Sequence, residues 1–168
     1  MDAPAHIDVA AGDVASVPLA TLYGKCICIP LNREKNIEPD SEITLDQILP
    51  FAPLLKQTRK ILFQTGWSEK WDSLEYFNHA PGFTLDALRF LAQTPIELLG
   101  VDLPSPVREK DELAGHQILL NNNICILENL ANLHQIPPAP QEFILSALPP
   151  AIENLDGFPV RAVAILDQ

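Results

Sequence analysis

The chain has 168 residues, enough for a single domain with a sizeable core, and 11 basic against 22 acidic residues give it a formal charge of −11. That surface repels phosphate backbones, and no basic stripe with interleaved aromatics relieves it, so nucleic acid is excluded as a partner. No apolar run approaches the ~18 residues of a membrane span and no leader segment is visible, so the expectation is a cytoplasmic protein with no membrane partner.

The chain opens on "MDAPAHIDVA", with Asp2 and His6 four residues apart. An acid and an imidazole at that spacing suit metal binding or acid/base work, but taken alone they sit at a chain end, where mobility is common. "YGKCICIPL" (23–31) reads as a strand with Cys26 and Cys28 on one face and Ile27 and Ile29 on the other. The third cysteine, Cys125, stands in a separate apolar stretch. Without a second cysteine pair, buried small hydrophobes outweigh a metal clip as the reading of all three.

"SEITLDQILPFAPLLKQ" (41–57) reads as a helix capped by Thr44 and broken at Pro50 and Pro53, and "KILFQTG" (60–66) as a strand. "GWSEKWDSLEYF" (66–77) sets Trp67, Trp71 and Leu74 at helical spacing, a stripe expected in core or interface. "GFTLDALRFLAQ" (82–93) is the clearest helix, capped by Thr84, with Leu85, Leu88, Leu91 and Ala92 as its apolar face. "IELLGVDLPS" (96–105) predicts a buried strand entering a loop, and "VREKDELAG" (107–115) a charged loop or helix start. "HQILL", a turn at 121–123 and the strand "ICIL" follow, then the strands "EFILSALP" (142–149) and "VRAVAIL" (160–166). The sixteen prolines punctuate these segments and form no low-complexity tract. The fold class is α/β.

Four histidines are available. His79 and His134 lie in loops beside prolines or turn residues and read as surface groups or outer neighbours of a site. His116 precedes Glu128 by twelve residues. His116 starts a short helical segment and Glu128 ends the following strand. Five helical residues rise roughly 7 Å and four strand residues roughly 13 Å, so the turn between them can bring the two ends together. On spacing alone the pair is a permissible set of metal ligands, and Glu128 is equally readable as an exposed acid at a strand end. In its largely uncharged surroundings, a buried Glu128 would need a partner or a metal. No G-x-S-x-G, Walker A, H-E-x-x-H or Rossmann fingerprint is present.

In order along the chain, "MDAPAH", "ILFQTGWSEKW", "HAPGFTLDALRFLA", "LLGVDLPS", "AGHQILLNNNICILENLANL" and "ALPPAIENLDGFPVRAVAIL" resemble the motifs of one family. It is the metal-dependent cyclase family that contains bacterial-type kynurenine formamidase and isatin hydrolase. The first of these motifs is similar to the last part of that family's H-x-G-T-H-x-D-x-P-x-H signature. The resemblance spans essentially the whole chain as a single domain, 1–168. It implies an α/β fold of the swivelling β/β/α type and a homodimer or homotetramer. It also implies a two-metal hydrolytic site for a small aromatic amide. By the same resemblance Asp2 matches the acid bridging both metals, His6 the catalytic acid/base, His116 a ligand of the second metal and Glu128 the second bridging carboxylate.

The chain departs from that pattern in two places. The family's H-x-G-T-H falls before Met1, so the expectation is an N-terminally truncated member, lacking the first strands, with an exposed sheet edge. Such a member would hold fewer than two metals, zinc for preference and manganese as the other candidate. Val107 stands where the family's S-x-D pattern has an acid. The resemblance implies an arylformamidase converting N-formyl-kynurenine to kynurenine and formate. A hydrolase of cyclic amides such as isatin, or a non-catalytic oligomerising remnant, are its alternatives.

Overall fold

Apolar residues on both faces of successive strands demand cover on both sides of a sheet. The computed structural model, which describes residues 1–8, 10–32 and 37–166, provides it. In chain order the strands are β1 (Tyr23–Pro30), β2 (Glu42–Ile43), β3 (Lys60–Gln64), β4 (Gly82–Phe83), β5 (Leu98–Val101), β6 (Cys125–Leu127), β7 (Glu142–Ser146) and β8 (Val163–Ile165). The α-helices are α1 (Leu19–Leu22), α2 (Leu45–Ile48), α3 (Ala52–Leu55), α4 (Leu74–Asn78), α5 (Leu85–Ala92) and α6 (Glu112–Leu120).

Six strands form one sheet in the order β6-β5-β3-β1-β7-β8, and β2 pairs with β4 apart from it. Strands β1, β3, β5 and β6 run parallel, whereas β7 is antiparallel to β1 and β8 to β7. Because side chains alternate along a strand, the register Ile27 to Ile61 and Ile29 to Phe63 builds one apolar face. That face packs on Ile48, Leu55, Leu88, Leu91 and Leu119 from the helices. On the opposite face Cys26, Cys28, Leu62, Cys125 and Leu127 meet Ala3, Val14 and Leu22. All three cysteines are buried and none is in a disulfide, as their alternation with isoleucine and their odd number suggest.

Three local expectations need correction. Thr44 starts a helix, its N–H donating to Gln47 Oε1 at 2.8 Å, and the break at Pro50 is a 3₁₀ turn, Leu49–Phe51, that separates α2 from α3. Pro50 lacks the N–H that an uninterrupted helix would use there. Pro53, however, sits in the first turn of α3 and breaks nothing. The Trp67, Trp71 and Leu74 stripe does not exist as one surface: Trp67 is in the core while Trp71 is 51% and Leu74 82% exposed. A 3₁₀ turn at Trp67–Lys70 and a break before α4 destroy the 3.6-residue period. His116 does not start its helix, because α6 begins four residues earlier at Glu112.

The edge beside β6 is also partly covered. The Asp2 N–H donates to the Ile126 carbonyl at 2.9 Å, so the first residues lie along that strand. Among the described residues no helix is long and apolar enough to cross a membrane.

Helix α6 is seated by a close contact. Val107 is buried, and a Cβ on Gly115 would lie 2.5 Å from one Val107 methyl and 2.7 Å from the other. A methyl group added there forces the helix away from residues 106–108. Gly115→Ala is expected to cost about 2 kcal/mol in denaturant unfolding. Trimming the opposing side chain, in Gly115→Ala with Val107→Ala, should cost less than the sum of the two single changes.

Candidate metal centre

The site lies where the parallel strands end at their carboxyl side, the usual position for ligands in open α/β sheets. Glu128 is the first residue after β6, and Asn129 turns the chain there in a left-handed conformation at φ 58°. Asparagine tolerates that conformation better than most residues. The turn is held by the Asn129 N–H donating to the Leu103 carbonyl at 2.9 Å and by the Tyr76 hydroxyl donating to Asn129 Oδ1 at 3.1 Å. The Glu128 carboxylate is thereby aimed back across the strand end instead of trailing into solvent.

Helix α6 supplies the imidazole. The His116 Nδ1–H donates to the Glu112 carbonyl one turn back at 2.9 Å, so in the neutral ring Nε2 carries the lone pair. Nε2 stands 3.3 Å from Glu128 Oε1 and 4.0 Å from Asp2 Oδ2.

Asp2 arrives through the main chain. It bridges Ile126 on one side and Gly157 on the other, while the Ala3 N–H donates to the Asp156 carbonyl and the Phe158 N–H to that of Met1. A Cβ on Gly157 would sit 2.9 Å from the Asp2 carboxylate, so glycine there permits the close approach. Taken alone, residues this near a chain end were expected to be mobile. Pairing on both sides holds them in place instead.

Together Asp2, His116 and Glu128 offer one nitrogen and two carboxylate oxygens, all within 4.8 Å of one another. His6 lies beside them on the turn Pro4–His6, its ring centroid 5.6 Å from that of His116, and its Nδ1 is 3.2 Å from Asp156 Oδ2. The two loop histidines are elsewhere. His79 pairs with Asp40 at the surface, and His134 is exposed. The cysteines belong to the apolar core.

Charge dominates the electrostatics. Burial works against a protonated His116, but its hydrogen bond to Glu128, the Glu112 carbonyl and the charges of Glu128 and Glu112 outweigh burial and raise its pKa to about 9. Burial, with the negative charge of Asp2, pushes the Glu128 carboxyl upward, and the hydrogen bond from His116 opposes this. Two part-buried carboxylates sharing one imidazole carry a surplus of negative charge that a divalent cation neutralises. The donor set fits such a cation: neutral imidazole nitrogen with two carboxylates suits zinc and manganese alike. The Nδ1–H bond to a main-chain carbonyl is the kind of outer contact that orients a metal-binding histidine.

Asp102, directly after β5, is a buried acid to which the sequence reading gave no role. Its carboxylate accepts the Thr65 N–H at 2.8 Å, the Thr65 hydroxyl at 2.7 Å and the Gly66 N–H at 2.8 Å. It thus ties the end of β3 to the end of β5. From there the Trp67 indole N–H donates to the Tyr76 carbonyl, and Tyr76 reaches Asn129 next to Glu128. The signal was a single acid inside the apolar run "LLGVDLP", since a buried acid must be matched by donors. Asp2 and Glu128 also line a groove of about 920 Å³, whose apolar walls include Leu62, Leu127, Leu145 and Phe158.

The chain is similar to known proteins in sequence and in fold. A family model described as putative cyclase matches residues 1–106. Kynurenine formamidase from Bacillus thuringiensis (strain Al Hakam) is 32% identical over 165 residues, which cover 97% of this chain and 72% of the relative. Among solved structures, isatin hydrolase A from Labrenzia aggregata bound to benzyl benzoate aligns with a TM-score of 0.82 and 27% identity over 97% of this chain and 70% of that one. A potential metal-dependent hydrolase with cyclase activity aligns with a TM-score of 0.77 and 27% identity, over 97% of this chain and 75% of that one.

A cation entering the cluster must displace the proton that His116 holds below about pH 9. Zinc affinity is therefore expected to rise about tenfold per pH unit from neutral pH toward that value and to flatten above it. Calorimetry at pH 7 in buffers of different ionisation enthalpy should register close to one proton released per zinc bound.

Proposed function

Because the chain belongs to the putative cyclase family, we propose that it is a metal-dependent amide hydrolase that cleaves an N-formylated aromatic amine, N-formyl-kynurenine foremost, into the amine and formate. The observation that carries this reading is the convergence of Asp2, His116 and Glu128, of which Asp2 and Glu128 also line a groove with apolar walls. A bound divalent cation, zinc or manganese, supplies Lewis acidity toward the amide carbonyl and acidifies a water nucleophile.

The chain's own residues do the rest. Asp2 and Glu128 supply the negative ligands, and the Glu112 carbonyl keeps the His116 ring turned so that Nε2 faces them. The imidazole of His6 takes the proton released by the attacking water and returns it to the departing aniline nitrogen. Leu62, Leu127 and Leu145 offer the aromatic ring an apolar wall next to this polar end, a combination common in small-molecule sites.

A second reading, opening of a cyclic amide such as isatin, is favoured by the 27% identity to isatin hydrolase A and needs the same three ligands and the same proton transfer. The working form is a homo-oligomer, and exposed Trp71, Leu74 and Phe77 provide apolar surface for such contacts. Its compartment is the cytoplasm, which suits three cysteines that form no disulfide.

The test is hydrolysis by the zinc-loaded full chain, with N-formyl-kynurenine and isatin assayed side by side. Faster turnover of N-formyl-kynurenine is expected, and His6→Ala should lower kcat about 100-fold with KM little changed. Zinc bound at one equivalent without turnover of either compound would leave a non-catalytic oligomerising protein.

A further inference from the structure

The contact between His6 and Asp156 has no part in ligand geometry, yet it reaches from one end of the chain to the other. His6 Nδ1 and Asp156 Oδ2 are 3.2 Å apart although the two residues are 150 positions apart in sequence. Both partners are substantially exposed, 42% for the histidine and 61% for the aspartate, so the pair contributes little to stability. Its position is nevertheless closely determined.

Asp156 sits on the segment that pairs with the first residues. The Ala3 N–H donates to the Asp156 carbonyl at 2.9 Å, the Phe158 N–H to the Met1 carbonyl at 3.0 Å, and the Met1 amine to the Phe158 carbonyl at 2.9 Å. Behind it the Val14 N–H donates to the Leu155 carbonyl at 2.8 Å and the Asn154 N–H to Asp13 Oδ2 at 2.7 Å. The same main-chain pairing that sets Asp2 among the ligands therefore sets Asp156 against His6.

We propose that Asp156 is a positioning residue for His6, holding its imidazole in the Nδ1–H tautomer so that Nε2 exchanges the proton during amide hydrolysis. This rests on the hydrolytic reading given above. A carboxylate is an acceptor only, so a hydrogen bond to Nδ1 requires the proton on that nitrogen and leaves the Nε2 lone pair free. The proton leaving the water nucleophile goes to Nε2, and from Nε2 it goes to the departing nitrogen. Asp156 keeps its negative charge throughout and steadies the imidazolium between the two transfers.

The tautomer of His6 is read directly from imidazole nitrogen-15 shifts in the full chain, at a pH high enough to remove the imidazolium. The Nδ1–H form is expected in the wild type and in Asp156→Glu. Asp156→Ala, which removes the acceptor, should shift the population toward Nε2–H. Alongside this, kcat should fall about tenfold or more in Asp156→Ala with KM within about twofold, and Asp156→Glu should recover most of it. Unchanged melting temperatures in both variants would show that folding is not the cause. The same tautomer in wild type and Asp156→Ala, or Nε2–H in the wild type, overturns the proposal even if kcat falls. A wild-type chain that hydrolyses no amide overturns the hydrolytic reading instead, and the spectra decide on the tautomer lock independently.

Discussion

The main-chain pairing of Asp2 is the constraint on which the site depends. Its N–H is bonded to Ile126 at the outer strand of the sheet, and on its other side it bridges Gly157 near the opposite end of the chain. A side chain so near a terminus carries little positional information unless its backbone is held on both sides. Here the sheet itself holds it. The first residues occupy the edge of β6, bring a carboxylate to the lining of the groove and place His6 next to His116. Gly157 is the steric condition for that arrangement, since any side chain there would meet the Asp2 carboxylate.

Around that frame the electrostatics are arranged to hold a cation. Asp2, Glu128 and Glu112 surround a single imidazole, and the hydrogen bonds and charges of Glu128 and Glu112 override the desolvation that would otherwise strip the proton from His116. The Glu112 carbonyl fixes which nitrogen is presented, so the lone pair and the two acids meet at one point. A protonated His116 and a bound metal are alternative answers to the same surplus of negative charge, which is why each excludes the other.

The strand ends are themselves cross-braced. Asp102 gathers the donors of residues 65–66, and the hydrogen bonds from Trp67 to Tyr76 and from Tyr76 to Asn129 carry that bracing across to Glu128. Buried polar groups satisfied in this way hold a loop in one geometry, whereas a half-satisfied network would not. Val107 adds an apolar part. In the place where the family's pattern carries an acid, it packs on Gly115 and seats the helix that presents His116.

Much of this was legible in the sequence. Alternation of cysteine with isoleucine marked β1 and its two faces, and Thr84 marked the start of α5, because burial and capping leave periodic or local traces. The Trp67, Trp71 and Leu74 spacing misled, since a short 3₁₀ turn resets the period without any residue that announces it. The twelve-residue interval between His116 and Glu128 permitted a meeting, and the family resemblance matched Asp2, His6, His116 and Glu128 to one site. By itself, then, the sequence determined the α/β class, the order of the strands along the chain and the residue types from which a site could be built. Only the tertiary structure decided how Asp2, His116 and Glu128 meet, that Asp102 braces the strand ends and that Asp156 faces His6. Asp2 is placed by main-chain hydrogen bonds between distant segments, which are indifferent to side-chain identity and leave no pattern to read, and the side-chain partners of Asp102 and His6 stand far from them in sequence.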